Sequence, residues 1–176
     1  MEHLDLATLE TGLDDVRRSP RDDGRVELIV RRPRENEREL LDEGTLDTAE
    51  GLIGDYGTPP PDAQLTLMNV RSASLVAGSP ERRPLAGDQL YVDLSLAAED
   101  LPAGTRLRVG EALVEVTAEP HRGCGKFAAR FGVDALKFVN SAVGRRLNLR
   151  GVNARVLEGG RVRVGDAITR LPAASG

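Results

Sequence analysis

Leu113-Val114-Glu115-Val116-Thr117 runs directly into Ala118-Glu119-Pro120-His121-Arg122-Gly123-Cys124-Gly125-Lys126-Phe127. The first five residues are β-branched or apolar with one charge, the composition of a half-buried strand. The next ten hold a proline and two glycines, which end a strand and open a loop. Beyond them Phe127, Phe131, Leu136 and Val139 recur at helical spacing, and Gly132 divides that span into two short helices. The stretch is a strand–loop–helix junction. It carries the only cysteine, one of two histidines and one of two lysines.

Moving outward, the pattern on both sides is of short strands. Leu65–Val70, Ser74–Ala77, Leu90–Leu94 and Arg106–Val109 precede the junction, separated by Gly87-Asp88, Pro102-Ala103-Gly104 and Gly110-Glu111. After it, Ala154–Leu157 and Val162–Val164 flank Glu158-Gly159-Gly160, which predicts a β-hairpin. Ala167–Leu171 reads as the last strand. Short strands with frequent turns predict a mainly β (α+β) fold, a barrel or folded sheet with a few short helices, rather than a βαβ fold.

The N-terminal third has a different character. Val26–Val30 reads as the first core strand, but Arg31–Asp47 interleaves Glu and Arg and predicts a loop followed by a short exposed helix at most. Residues 1–58 hold too few apolar positions for a core of their own. They are expected to form an acidic lobe packed on a main domain of residues 59–176. Charge follows the same division: residues 1–60 carry 8 Lys/Arg against 16 Asp/Glu, and residues 120–163 carry 10 against 2. A basic concave surface attracts anions.

Composition excludes several classes. No apolar run approaches the ~20 residues of a membrane span, and the N-terminus lacks a signal-peptide core, so a cytoplasmic protein is expected. Aromatic residues make up 3% and tryptophan is absent, which argues against nucleic-acid binding by base stacking. One cysteine forms no internal disulfide and makes no zinc site alone. Cys124 is then an inert buried thiol, an intermolecular partner or a reactive nucleophile. Arg122 and Lys126 flank it, His121 lies three residues before it, and Gly123 and Gly125 leave the backbone N–H groups open. Cations and bare amides favour a thiolate. His121 is a general base, a phosphate contact or a solvent-facing turn residue.

Cys124-Gly125-Lys126-Phe127 after the Val-Glu-Val-Thr strand resembles the signature of MOSC domains, the family related to the C-terminal part of molybdenum cofactor sulfurases. Gly87-Asp88-Gln89-Leu90, Leu101–Gly110, and Arg150–Val156 with the following Gly159, Val162 and Gly165-Asp166 resemble further family segments. The resemblance covers about residues 65–170. It implies a MOSC-like β-barrel with the cysteine in a basic pocket. It also implies a bound molybdenum cofactor (molybdopterin), with Cys124 as metal ligand or persulfide carrier and His121, Arg122, Lys126, Arg150 and Asn153 as cofactor contacts. The activities implied are sulfur carriage, with a cysteine desulfurase as partner, or molybdenum-dependent reduction of N-hydroxylated compounds, with a redox partner. No pyridoxal phosphate is expected in this chain itself. The alternative is a non-catalytic module for an anionic metabolite, in which Cys124 is structural.

Overall fold

Leu90 and Val92 point one way along their strand while Tyr91 points the other, the period-two alternation of a pleated strand. In the computed structural model, which describes residues 2–173, that alternation separates two cores. Leu90 and Val92 join Val26, Leu65, Leu67, Leu107, Val109, Val114, Val116, Ala154 and Ile168 inside a barrel. Tyr91 and Met68 face outward and pack against helices through Leu9, Val16, Ala73, Val76 and all three phenylalanines. Burying each large apolar side chain contributes roughly 1.5–3 kcal/mol, so the small aromatic inventory is concentrated where helices meet the barrel wall.

The barrel has seven strands: β1 (Asp23–Arg31), β5 (Leu65–Asn69), β6 (Leu90–Asp93), β7 (Arg106–Val109), β8 (Ala112–Val116), β9 (Val152–Glu158) and β11 (Ala167–Arg170). They run in the order β11-β7-β8-β9-β5-β6-β1, and β1 pairs back onto β11 through Asp23↔Thr169, Gly24↔Ile168 and Arg25↔Ala167. Closure removes the free edges of an open sheet. Only β5 and β6 are parallel to each other. A parallel pair needs a crossover; here it is α3 (Val70–Ala77) followed by the 3-10 helix Pro80–Ala86, and it delivers Gly87-Asp88 to the start of β6. The mainly β barrel with a few short helices expected from the sequence is the fold observed.

Three local expectations are corrected. Ser74–Ala77 belongs to α3, not to a strand: Asn69 caps the helix by accepting from the N–H groups of Arg71 and Ser72, and Ser72, Ala73, Val76 and Ala77 form its buried face. Arg31–Asp47 forms no helix. It contains β2 (Glu39–Leu41), paired with β1, and β3 (Glu43–Asp47), where Gly44 and Leu46 alternate inward. The predicted hairpin is absent as well. β9 pairs with β5 and β8, whereas β10 (Gly160–Arg163) crosses to a second sheet ordered β10-β3-β4, with β4 at Gly51–Leu52. That sheet places Leu46, Leu52 and Val162 against the barrel core, a larger apolar gain than a local hairpin offers.

Residues 2–58 therefore supply more than a surface layer. β1 is a barrel stave, while α1 (Leu6–Glu10) and α2 (Leu13–Arg17) pack on the helical side with α4 (Gly125–Phe131), α5 (Val133–Asn140) and α6 (Ala142–Arg146). Leu6 N–H donates to Asp134 Oδ2 at 3.1 Å, tying the N-terminus to α5. Among the described residues no helix is long and apolar enough to cross a membrane.

Candidate functional site

The loop after β8 is held at both ends by asparagines. Asn153 on β9 donates from Nδ2 to the carbonyls of Glu119 (3.1 Å) and Pro120 (3.3 Å). Asn140 at the end of α5 makes a reciprocal pair with Gly123, accepting its N–H at 3.0 Å and donating to its carbonyl at 3.1 Å. Between these anchors the chain presents Cys124 at the cap position of α4, with its side chain exposed. The backbone N–H of Phe127 holds the thiol below its ordinary value. Partial burial opposes that, and the N–H of Lys126 with the charges of Arg150 and Arg130 reinforces it.

Behind the cysteine lies a buried carboxylate. Asp88 is fully buried and accepts from Arg150 Nη1 at 2.5 Å on one oxygen, while its other oxygen lies 2.7 Å from His121 Nε2. Burial alone would push such a carboxyl up, but Arg150 and His121 outweigh it and hold Asp88 at about 2. Arg150 also donates from Nη2 to Ala86 carbonyl at 2.9 Å and covers the Phe127 ring at 5.2 Å. Two buried polar atoms beside this pair lack a hydrogen-bond partner: Arg150 Nε and Tyr91 Oη. Burial, with the Asp88 charge, pushes the Tyr91 phenol above its usual range, so it stays a neutral donor.

A cavity of about 180 Å³ opens between the cysteine loop, the 3-10 turn and the segment after β1. Most basic side chains on its wall already contact a carboxylate. Arg150 and His121 share Asp88, Arg32 pairs with Asp55 at 2.5 Å, and Lys126 pairs with Glu35 at 3.1 Å. Two do not. Arg38 donates only to the carbonyls of Pro84 (3.2 Å) and Glu37 (3.0 Å). Arg130 donates to Leu85 carbonyl at 2.9 Å and reaches Asn36 Oδ1 at 3.5 Å. Burial, then repulsion from Arg130 and Arg32, holds the Arg38 guanidinium below its ordinary value. Both guanidinia sit over Gly87, whose φ is +89°; a Cβ there would lie 3.1 Å from Arg38 Nη2 and 3.7 Å from Arg130 Nη1. Two adjacent arginines paired with no carboxylate among the described residues give this wall positive charge in a geometry suited to an oxyanion.

Of the residues singled out in the sequence, Cys124, His121, Lys126 and Arg150 line this cavity together. Arg122 is exposed and lines a neighbouring cavity of about 240 Å³ with Arg145 and Asn148, on the other side of His121 and Arg150. Asn153 is buried against the loop backbone. Sequence reading missed Arg32, Arg38 and Tyr56, which lie in the segment read as solvated loop and in the glycine-rich stretch after it. It also missed Arg130, although the i, i+4 spacing of Lys126 and Arg130 places both on one face of a helix. Asp88 stood out in the sequence only within Gly87-Asp88-Gln89-Leu90, a turn before a strand.

The donor set fits an anionic cofactor that brings its own metal ligands. Among the described residues no group of three or more His, Cys, Asp or Glu is placed to hold a metal ion, and Cys124 is the one thiol beside the cavity.

Comparison with known proteins gives a consistent picture. A family model described as MOSC domain matches residues 60–169. No curated protein matches the chain. Among solved structures, the YuaD protein from Bacillus subtilis superposes with a TM-score of 0.59 at 17% identity, covering 83% of this chain and 94% of that one. YiiM from Escherichia coli gives 0.59 at 23% identity, covering 86% and 72%. YiiM from Geobacillus stearothermophilus gives 0.61 at 16% identity, covering 87% and 77%. At these identities the likeness is one of fold.

Proposed function

The chain belongs to the MOSC domain family, and from that premise we propose that the cavity beside Cys124 binds a molybdenum cofactor by its phosphate and pterin oxygens, with Cys124 as a thiolate ligand. The observation that carries this reading is the pair Arg38 and Arg130, held by carbonyls over Gly87 and paired with no carboxylate among the described residues. Arginine forks match phosphate and carboxylate geometry, and each charge-assisted bond is roughly twice as strong as a neutral one. Molybdenum, when bound, supplies two-electron redox chemistry or a site for sulfur exchange.

The protein's own residues divide the work. Arg38 and Arg130 attract and orient the anion. The backbone N–H of Phe127, reinforced by the N–H of Lys126 and the charges of Arg150 and Arg130, favours the thiolate form of Cys124 that a metal would bind. Asp88 fixes His121 through Nε2 and Arg150 through Nη1, so the ring and the guanidinium are held in place before any ligand arrives. As a sulfur carrier, Cys124 would take the terminal sulfur of a desulfurase persulfide: one S–S bond forms at Sγ, the donor S–S bond breaks, and the electron pair leaves on the donor thiolate. As a reductase component, the same thiolate would remain a metal ligand and electrons would come from a redox partner. Exposure of Cys124 speaks against the alternative in which it only packs.

Metal analysis and cofactor extraction on protein made in a molybdenum-cofactor-producing host test the reading, comparing the parent with Cys124→Ser and Arg38→Ala/Arg130→Ala. Pterin and molybdenum in the parent, molybdenum reduced in the first variant and both lost in the second, are expected. Equal, empty preparations of all three would overturn it.

A further inference from the structure

Strand β2 (Glu39–Leu41) is the last member of its sheet and has β1 on one side only. Parity decides which of its backbone groups are free. Val30 N–H donates at 2.8 Å to the carbonyl of Gln89, just before β6, so the peptide groups of Val30 point away from β2. An antiparallel ladder alternates bonded and unbonded pairs. Val30↔Leu40 is thus an unbonded pair, flanked by the bonded pairs Ile29↔Leu41 and Arg31↔Glu39. Leu40 therefore turns its N–H and carbonyl outward, away from β1. Asp42, two residues on, shows what lies on that side. Its carbonyl accepts the Val164 N–H at 2.9 Å, one pair beyond Glu43↔Arg163 in the β3–β10 register. There the chain leaves the line. Gly165, with φ +93°, donates to the Val26 carbonyl at 2.7 Å, and the Asp166 carbonyl accepts from Val26 at 2.9 Å. The residue that would have met Leu40 is carried to β1 instead.

Beyond Val164 the line beside Leu40 is open among the described residues, and both side chains at its margin are apolar and exposed, Leu40 by 63% and Val164 by 43%. Free edges are ordinarily blunted by a charge or a proline; the outward position here is leucine. We propose that β2 is a docking edge for an extended segment of a partner protein, which adds as a strand along the line that β10 vacates, with an aliphatic side chain against Leu40 and Val164 and a carboxylate toward Arg38. Charge selects this occupant. Arg38 meets no carboxylate among the described residues and stands two positions before Leu40, the spacing of side chains on one face of a strand. A second copy of the chain fits poorly. Twofold pairing about Leu40 needs the Asp42 carbonyl that Val164 occupies, and twofold pairing about Arg38 sets two guanidinia against each other. In strand addition the main-chain bonds supply affinity and alternate side chains supply specificity. Because Arg38 and Cys124 line one cavity, a segment bound along β2 reaches the mouth of that cavity. Strand addition needs no cofactor there.

Titration with a capped pentapeptide, threonine–valine–threonine–aspartate–threonine, followed by backbone NMR and amide exchange, tests the edge. The Leu40 amide is expected to exchange freely in the parent and to slow when peptide is added. A peptide with lysine in place of aspartate should bind several-fold more weakly. Leu40→Pro removes only the outward N–H, since the bonds to β1 lie at Glu39 and Leu41, and should weaken the peptide about tenfold. Arg38→Ala should abolish the preference for aspartate over lysine, and it decides the matter should the proline variant not fold. A Leu40 amide already protected in the free parent, no shifts along residues 38–42 at millimolar peptide, or equal binding by Leu40→Pro overturns the docking edge. Leu40 protection that rises with protein concentration alone, matched by a dimer in sedimentation, assigns the edge to a second copy and overturns the partner.

Discussion

Arg150 Nη1 donates to Asp88 Oδ2 at 2.5 Å across 62 residues of sequence, and the carboxylate receiving it is fully shielded from water. One ion pair thus joins the crossover before β6 to the start of β9 and sets the floor of the cavity. Removing the carboxylate charge leaves a buried guanidinium uncompensated, which costs about 3–5 kcal/mol. Asp88→Asn is expected to lower the unfolding free energy by that order in urea titration. A loss below about 1 kcal/mol would mean that the pair contributes little.

The same carboxylate makes stability depend on pH in a defined direction. Its folded value of about 2 lies below the ordinary 3.8, so its contribution is fully present above about pH 4 and is lost as pH falls toward 2. The amount is on the order of 2 kcal/mol. The stability difference between parent and Asp88→Asn should therefore shrink on acidification through that window. A difference that stays constant from pH 5 to pH 2 contradicts the assignment.

Cys124 should alkylate with a pH midpoint below the ordinary thiol range, because the N–H of Phe127 and nearby cations favour its thiolate. Arg130→Ala is expected to move the midpoint upward by removing one of those cations. Iodoacetamide rates followed by intact mass measure both; identical midpoints in parent and variant would remove Arg130 from the account.

Gly87→Ala tests the arginine cradle. At φ +89° any side chain is strained, at about 1 kcal/mol, and the new Cβ would press on Arg38 Nη2. Gly104 has φ +91° with nothing within 4 Å of a Cβ, so Gly104→Ala carries the backbone strain alone. Comparable melting temperatures for the two variants, with phosphate binding weakened only in the first, are the expected outcome.

Asn153→Ala removes the two bonds that hold the backbone of Glu119 and Pro120. Leaving those carbonyls unsatisfied costs about 1–3 kcal/mol. Amide exchange should accelerate across residues 118–124 while the barrel strands stay protected. Uniform acceleration through the whole barrel would point to global destabilisation instead.

The barrel was largely legible because strand signals are local. Val26–Val30, Leu65–Val70, Leu90–Leu94 and Leu113–Thr117 announce themselves as short apolar or β-branched runs between turn residues. Ser74–Ala77 misled because a short apolar run reads equally as strand or helix, and the Asn69 cap that decides it lies upstream. The Gly159-Gly160 turn misled because a hairpin signal records flexibility, not the partner. β10 finds β3 more than 100 residues back because Leu46 and Val162 are buried together there.

For the site, sequence alone determined that Cys124 stands in a glycine-flanked loop with cations nearby, since those neighbours are covalently fixed within a few residues. It also determined the strand succession from which a barrel follows. Tertiary structure decided which charges remain available. Arg150, Lys126 and Arg32 look equivalent to Arg38 and Arg130 on paper, yet the first three meet Asp88, Glu35 and Asp55 from distant segments and the last two meet only carbonyls. Whether a cation can still bind an anion depends on which carboxylate the fold brings beside it, and pairings over tens of residues leave no periodic trace in the chain.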